Sequence, residues 1–273
     1  PTVAAQCIKQ AVADKSAGII TDSLPYAMAE NAYAAAVAAR MPIVVSDVLD
    51  PMPAGWSKDL VATDNGQGVG SALMADAIIA DSDGKANVLF ADTTTNSTTK
   101  DAADAVLSEF ATYCPGCKVT TVNWSPAQVQ QIPTAVSVAL NTDRSIDYVF
   151  ASYDQPAGPA VVQGMQLSGR QGKLKLVGYG AVVAAMEQIA DGTRLADVAV
   201  DPAIVAWNNT DRLLRLMTGE PVPAASAYDV PRRVFDKSNI GSVDGKSVAA
   251  YESGSWFSNG SFRTTYAKLW GAS

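Results

Sequence analysis

A chain of 273 residues can bury a sizeable core in one large or two medium domains, and with 48% hydrophobic and 17% charged residues and no apolar run near 18 residues it reads as soluble, globular and without a membrane span. The net charge of −7 argues against a nucleic-acid partner, which would want a basic face. The absence of histidine removes His-based triads, His general bases and most zinc sites together.

The first predicted element is a helix over residues 3–14, opening in mid-pattern at Pro1. A strand should precede it in a regular alternation, so an N-terminal piece of at least one βαβ unit, roughly 30 residues or more, is expected to be missing. Cys7 falls at helical spacing with Val3 and Ala11 and is expected to be a buried small hydrophobe.

Residues 17–48, AGIITDSLPYAMAENAYAAAVAARMPIVVSDV, form the clearest unit. Apolar runs at 18–21 and 42–46 flank an alanine-rich helix over 26–39. Near-continuous apolar strands separated by a helix-length crossover indicate a parallel βαβ unit and not a hairpin. Both strands end in polar residues, Thr21 and Asp22 after the first and Asp47 after the second. Ligands in open α/β sheets sit beyond the carboxyl ends of the strands, which makes these residues site candidates.

A short strand at 60–62 leads through TDNGQGVG into a helix over 67–81. Gly66, Gly68 and Gly70 fall short of a dinucleotide loop, because Ser71 stands where the third glycine belongs. They read as glycines easing a chain crossover into a helix N-terminus. Strands at 87–91, 118–122, 147–152, 174–179 and 195–200 then alternate with helices over 97–111, 127–140, 156–167, 181–189 and 203–217, with a kink expected at Pro133. Such alternation predicts parallel sheets covered by helices on both faces, and the number of strands suggests two sheets. From Val230 the alternation stops; an extended piece over 230–235, a Gly/Ser-rich run and a short helix over 262–270 are expected.

Cys114 and Cys117 form CPGC, but the pair closes a helix and precedes a strand, the reverse of a thioredoxin site. That placement favours a structural disulfide clip, which implies an oxidising compartment. A zinc half-site is the other option, although no second pair exists.

Collected beyond the strand ends are Thr21, Asp22, Asp47, residues 92–96, Trp124, Tyr153, Asp154, Gly180 and Asp201. Each polar residue alone is more readily a turn former or helix N-cap than a ligand contact, and Asp22 and Asp154 in particular suit helix N-caps. Trp124 beside polar neighbours offers a stacking face and a donor.

At this point GIITDSLP, ARMPIVVSDV, TDN before a helix, DYVFASYDQPAGPAVVQGMQLSG, KLKLVGYG and LMTGEPVP together resemble type I periplasmic sugar-binding proteins, the ribose-binding-like solute receptors of ABC transporters. The resemblance implies an α/β fold of two Rossmann-like lobes with parallel sheets, joined by a three-crossing hinge that closes on ligand. It implies crossings near 63–66, 200–202 and 232–235, one lobe of residues 1–64 plus 201–232, and another of 65–200 plus 233–273. The missing N-terminus would have held the first strand, the first helix and a ligand-stacking aromatic.

The family's sugar contacts match Thr21, Asp47, Lys100, Trp124 and Asp154, while Tyr153 stands where an asparagine is usual. Three positions depart from the ribose type: Val48 replaces an arginine, Gly180 an aspartate and Val200 a hinge glutamine. A buried polar group left unpaired costs about 1 to 3 kcal/mol, so a ligand smaller or less polar than ribose is expected: a short polyol, a deoxy sugar or a non-sugar.

The resemblance further implies an extracytoplasmic monomer, periplasmic or lipid-anchored, with a small-molecule ligand and a membrane permease as partners and no cofactor or metal. The alternative is the effector-binding half of a LacI-type regulator, which shares the fold but sits poorly with an acidic chain and a disulfide. An enzyme has little support without histidine or a G-x-S-x-G motif.

Overall fold

The computed structural model describes residues 2–50, 52–56, 59–228, 230–243, 247–257 and 260–271. The elements in chain order begin with α1 (Thr2–Ala13), β1 (Ile19–Asp22), α2 (Glu30–Ala38), β2 (Ile43–Ser46) and β3 (Leu60–Ala62). The second group comprises α3 (Gln67–Asp81), β4 (Asn87–Asp92), α4 (Ser97–Tyr113), β5 (Lys118–Asn123), α5 (Ile132–Thr142), β6 (Tyr148–Ala151), α6 (Ala157–Leu167), β7 (Lys175–Tyr179), α7 (Val183–Asp191) and β8 (Arg194–Val200). The chain closes with α8 (Pro202–Thr218), β9 (Arg232–Asp236), α9 (Val248–Glu252) and α10 (Ser261–Leu269).

Two sheets result, as the strand count suggests. The first has the order β1-β2-β3, all parallel, and the second β5-β4-β6-β7-β8-β9, parallel except for the antiparallel β9. Period-two side-chain alternation builds the second lobe's two core layers. Val88, Phe90, Tyr148, Phe150 and Val177 face α3 and α4, whereas Leu89, Ala91, Val149, Ala151 and Leu176 face α5 and α6. Gly164 lets α5 and α6 meet closely, since a Cβ there would lie 2.6 Å from that of Val136.

The first lobe packs Ile8, Tyr33, Ile43, Val45 and Val48 into one cluster on one side of its sheet. On the other side α8 approaches closely enough that a Cβ at Gly18 would meet Leu213 at 2.7 Å. Asp201 caps α8 by accepting from the Ala203 and Ile204 amides, and Pro202 opens the helix.

Four local expectations are corrected. The helix expected over 26–39 is a 3-10 turn, Tyr26–Met28, followed by α2; that over 127–140 is likewise a 3-10 segment, Pro126–Gln131, followed by α5. Pro133 therefore sits in the first turn of a helix, where its missing N–H costs nothing, and kinks no helix. Cys7 is exposed and Val3 is 72% exposed, because the buried stripe of α1 runs through Ala4, Ile8 and Val12, one position along from the expected one. The final segment also divides. Phe235, Tyr251, Trp256 and Phe257 pack beside α7 and β8, whereas α10 folds onto α8, with Trp270 stacked on Trp207 at 5.0 Å and donating to Asp211 Oδ1 at 3.0 Å.

Cys114 and Cys117 are disulfide-bonded across the α4–β5 turn, with Cys114 in the core beside Val106 and Phe110.

Candidate functional site

Three stretches pass between the lobes side by side. The segment after β3 reaches α3 through Gly66, whose left-handed backbone (φ 70°) forms the helix N-cap, so the glycine-rich stretch is the crossover its sequence suggests. The turn from β8 into α8 lies against the approach to β9, with the Asp201 amide bonded to Pro231 O at 2.8 Å. Arg232 ties two of the crossings: its Nη2 donates to Asn65 O at 3.1 Å and Gly66 O at 2.8 Å. Val200 lies opposite Arg232 in the β8–β9 ladder.

Beyond the carboxyl ends of both sheets lies a cavity of about 320 Å³. Ser23, Met28 and Asp47 line it from the first lobe, and Thr93, Asn96, Thr98, Thr99, Trp124 and Tyr153 from the second. This volume is at the small end of the range for ligand pockets, roughly 300 to 1,000 Å³.

Asp47 follows β2 with a positive φ of 55°, and that turn sends successive side chains in opposite directions. Asp47 goes to the cavity, and Val48, 2% exposed, goes to the core of the first lobe. Burial, with the nearby charges of Asp22 and Asp64, pushes the Asp47 carboxyl up to about 7, while the Asn65 backbone amide opposes the rise.

On the facing wall, α4 begins at the cavity behind a capping box in which Asn96 accepts from the Thr99 amide at 2.8 Å and Thr99 accepts from the Asn96 amide at 3.1 Å. Tyr153 donates to Gln67 Oε1 at 2.7 Å and meets Tyr179 edge-on at 6.3 Å. Its phenol is held above its ordinary value by burial and by the carboxylates of Asp47, Asp92 and Asp22. Asp47 Oδ1, Thr93 Oγ1 and Trp124 Nε1 are buried and have no hydrogen-bond partner in the protein. Buried polar groups are normally paired, so three unpaired atoms on residues that line one cavity suit a polar ligand.

Of the residues singled out in the sequence, Asp47, Trp124 and Tyr153 are brought together around this cavity. Asp22 stands close by, exposed at the end of β1. Four others lie off the cavity. The Thr21 hydroxyl is bonded to that of Tyr33 at 2.8 Å, and Tyr33 in turn donates to Leu24 O. Lys100, on the exposed face of α4, pairs with Asp104 one turn on. Asp154 is 2% exposed and is bound to Arg194 Nη1 at 2.7 Å inside the second lobe. Gly180 packs against Asp154 and accepts at its carbonyl from Tyr251 Oη at 2.9 Å.

The loop threonines and Asn96 fell within the polar loop at 92–96, but the first-turn residues Thr98 and Thr99 carried no signal apart from their position at a helix start. Tyr179 and Arg232 were missed because they act from behind the wall.

Two parallel-sheet lobes, three adjacent crossings and a cavity in the seam make up the type I periplasmic binding protein fold. The chain belongs to the periplasmic binding protein domain family, which its residues 1–221 match. Solved structures of similar fold include a solute-binding protein from Agrobacterium vitis bound with alpha-D-tagatopyranose, with TM-score 0.75 and 18% identity over 86% of this chain and 80% of that one. Another is an ABC transporter periplasmic solute-binding protein from Actinobacillus succinogenes with bound D-allose, with TM-score 0.74 and 20% identity over 88% and 83%. A third is a carbohydrate transporter from Acidothermus cellulolyticus in complex with myo-inositol, with TM-score 0.69 and 18% identity over 92% and 83%. No curated protein sequence matches the chain.

Proposed function

We propose that the chain is an extracytoplasmic receptor that closes its two lobes on a small sugar or polyol and delivers it to the membrane permease of an ABC importer. The observation that carries this reading is the seam cavity, to which both lobes contribute and on which three buried polar atoms lack partners. The solved structures of like fold hold D-allose, alpha-D-tagatopyranose and myo-inositol, all polyhydroxylated rings, which supports the ligand class. Family membership supports the compartment, and the Cys114–Cys117 disulfide agrees with an oxidising one.

In this reading one lobe comprises residues 1–64 and 201–232 and the other 65–200 with the rest of β9 from 233, the last helix returning to the first lobe. Asp47, Thr93, Trp124 and Tyr153 contact the ligand. Val48 fills the first lobe's core, so no cation stands beside Asp47 in the way the ribose-type arginine would.

A thermal-shift screen of pentoses, hexoses, deoxy sugars and polyols, followed by small-angle scattering, tests the reading. A hit is expected to raise the melting temperature and reduce the radius of gyration. A hit without compaction would refute lobe closure.

A further inference from the structure

The charges around the cavity narrow the ligand class, and the inference they support rests on the receptor reading above. Among the described residues, Asp47 is the one charged side chain on the cavity wall, and its Oδ1 has no partner. Further carboxylates surround it. Asp22 and Asp64 act on Asp47, and Tyr153 feels Asp22 from the first lobe and Asp92 from its own. The cations near the seam do not line the cavity: Lys100 pairs with Asp104 on the surface, and Arg232, whose buried Nε has no partner, gives Nη2 to the Asn65 and Gly66 carbonyls at the hinge.

The opposite wall has a different character. Trp124 and Thr93 are only 6% and 3% exposed, line the cavity and leave Nε1 and Oγ1 unpaired. An indole Nε1 can only donate, so the ligand must present an acceptor oxygen there. The N-terminus of α4 adds partial positive charge on that side. With no Lys or Arg on the wall, neutral hydroxyl oxygens suit it better than a carboxylate.

We infer that the cleft prefers an amino sugar or amino polyol to its neutral parent, with the ligand's ammonium nitrogen against Asp47 and its hydroxyl oxygens toward Trp124 and Thr93. A buried carboxylate is costly unless paired, and the ligand is the partner the protein itself omits. The raised proton affinity of Asp47 agrees, being the response first to burial and then to the neighbouring carboxylates of Asp22 and Asp64.

Calorimetric titration of the wild-type chain at neutral pH tests this with D-glucosamine against D-glucose, D-galactosamine against D-galactose and serinol against glycerol, each amine also in its N-acetyl form. At least one amine is expected to bind about tenfold or more tightly than both its hydroxyl and N-acetyl counterparts, the margin of a charge-assisted over a neutral hydrogen bond. Asp47→Asn, which keeps the shape and removes the charge, is expected to bring that ratio close to one. A neutral sugar binding as tightly as its amine overturns the inference and leaves the receptor reading intact. Binding by neither class overturns both. If Asp47→Asn does not fold, the wild-type ratio and its loss on N-acetylation decide the matter.

Discussion

Thr98, in the first turn of α4, bonds across the seam to the backbone around Leu49: its hydroxyl accepts from the Leu49 amide at 3.0 Å and donates to Asp47 O at 3.3 Å. The side chain is 2% exposed and lines the cavity, so one hydroxyl links lobe closure to the position of Asp47. Thr98→Val keeps the shape and removes both bonds. At about 1 kcal/mol for such an interaction, ligand binding should weaken by about three- to tenfold. The thermal midpoint of the free protein should change little, since the bonds join lobes and lie in neither core. Unchanged affinity in calorimetry, together with an unchanged radius of gyration, would remove the latch role.

Inside the second lobe, Arg194 donates through Nη1 to both Asp154 and Asp197, and through Nε to Gln188 Oε1 at 3.0 Å. Burial alone would lower its proton affinity, but the two carboxylates hold it above the ordinary arginine value. Burial and Asp154 drive Asp197 well above the usual carboxylate range despite the guanidinium. Arg194→Met leaves two carboxyl groups in a dry interior and is expected to cost about 3 to 5 kcal/mol at neutral pH, read as a lower urea midpoint. Asp154→Asn should likewise act on stability before ligand affinity. A variant at Asp154 that folds normally and loses binding would restore it to the ligand site.

The contrast between Asp154 and Asp47 shows what a single sequence makes legible. Apolar runs at 43–46 and 87–91 locate strands whatever their neighbours, and the residues just beyond them must lie at the carboxyl edge, which is how Asp47 and the polar loop at 92–96 could be found. Whether a side chain at that edge faces the ligand depends on partners remote in sequence. Asp154 meets Arg194 forty positions on, and nothing in YDQPAG announces it. Lys100 pairs locally with Asp104, an i,i+4 partner whose spacing alone could have placed it on a solvated helix face. The Cys7 error is one of phase: α1 has several ways to count alanines and valines as a stripe, and only Ile8, 2% exposed, decides among them.

Thiol chemistry gives a further prediction. Cys7 is exposed, whereas Cys114 and Cys117 are paired, so one thiol should react rapidly in the native protein and three after reduction and denaturation. The clip joins residues three apart, and closing so short a loop stabilises by about 2 kcal/mol in the chain-entropy account. A Cys114→Ala, Cys117→Ala double variant should therefore fold with a modestly lower midpoint and an unchanged thiol count of one. Three reactive thiols in the native wild type would show that the pair is open and would favour the regulator alternative over an extracytoplasmic receptor.

The cleft also sets a pH dependence. Burial is the main cause that raises the carboxyls of Asp47 and Asp92 to about 7 from an ordinary 3.8. Around Asp47 lie Asp22 and Asp64, which add to the rise, the Asn65 amide, which opposes it, and the phenols of Tyr153 and Tyr179 with Arg232 behind them. For Asp92 the Thr93 amide lowers and Asp104 raises. Between about pH 4 and pH 7 the folded chain keeps protons that the unfolded chain has released, so unfolding free energy falls as pH rises through this window and levels above it. Asp197 acts in the same direction, whereas Asp81 and Asp211, held below the ordinary range, affect stability only at more acidic pH. Urea midpoints of the ligand-free protein are expected to fall across the window, and Asp47→Asn, having no proton to lose there, should flatten the slope and raise the midpoint at its alkaline end. A wild-type midpoint that climbs from pH 4 to pH 7 would mean that Asp47 and Asp92 are already ionised at the acid end, and with it that the cleft is far better solvated than its geometry implies.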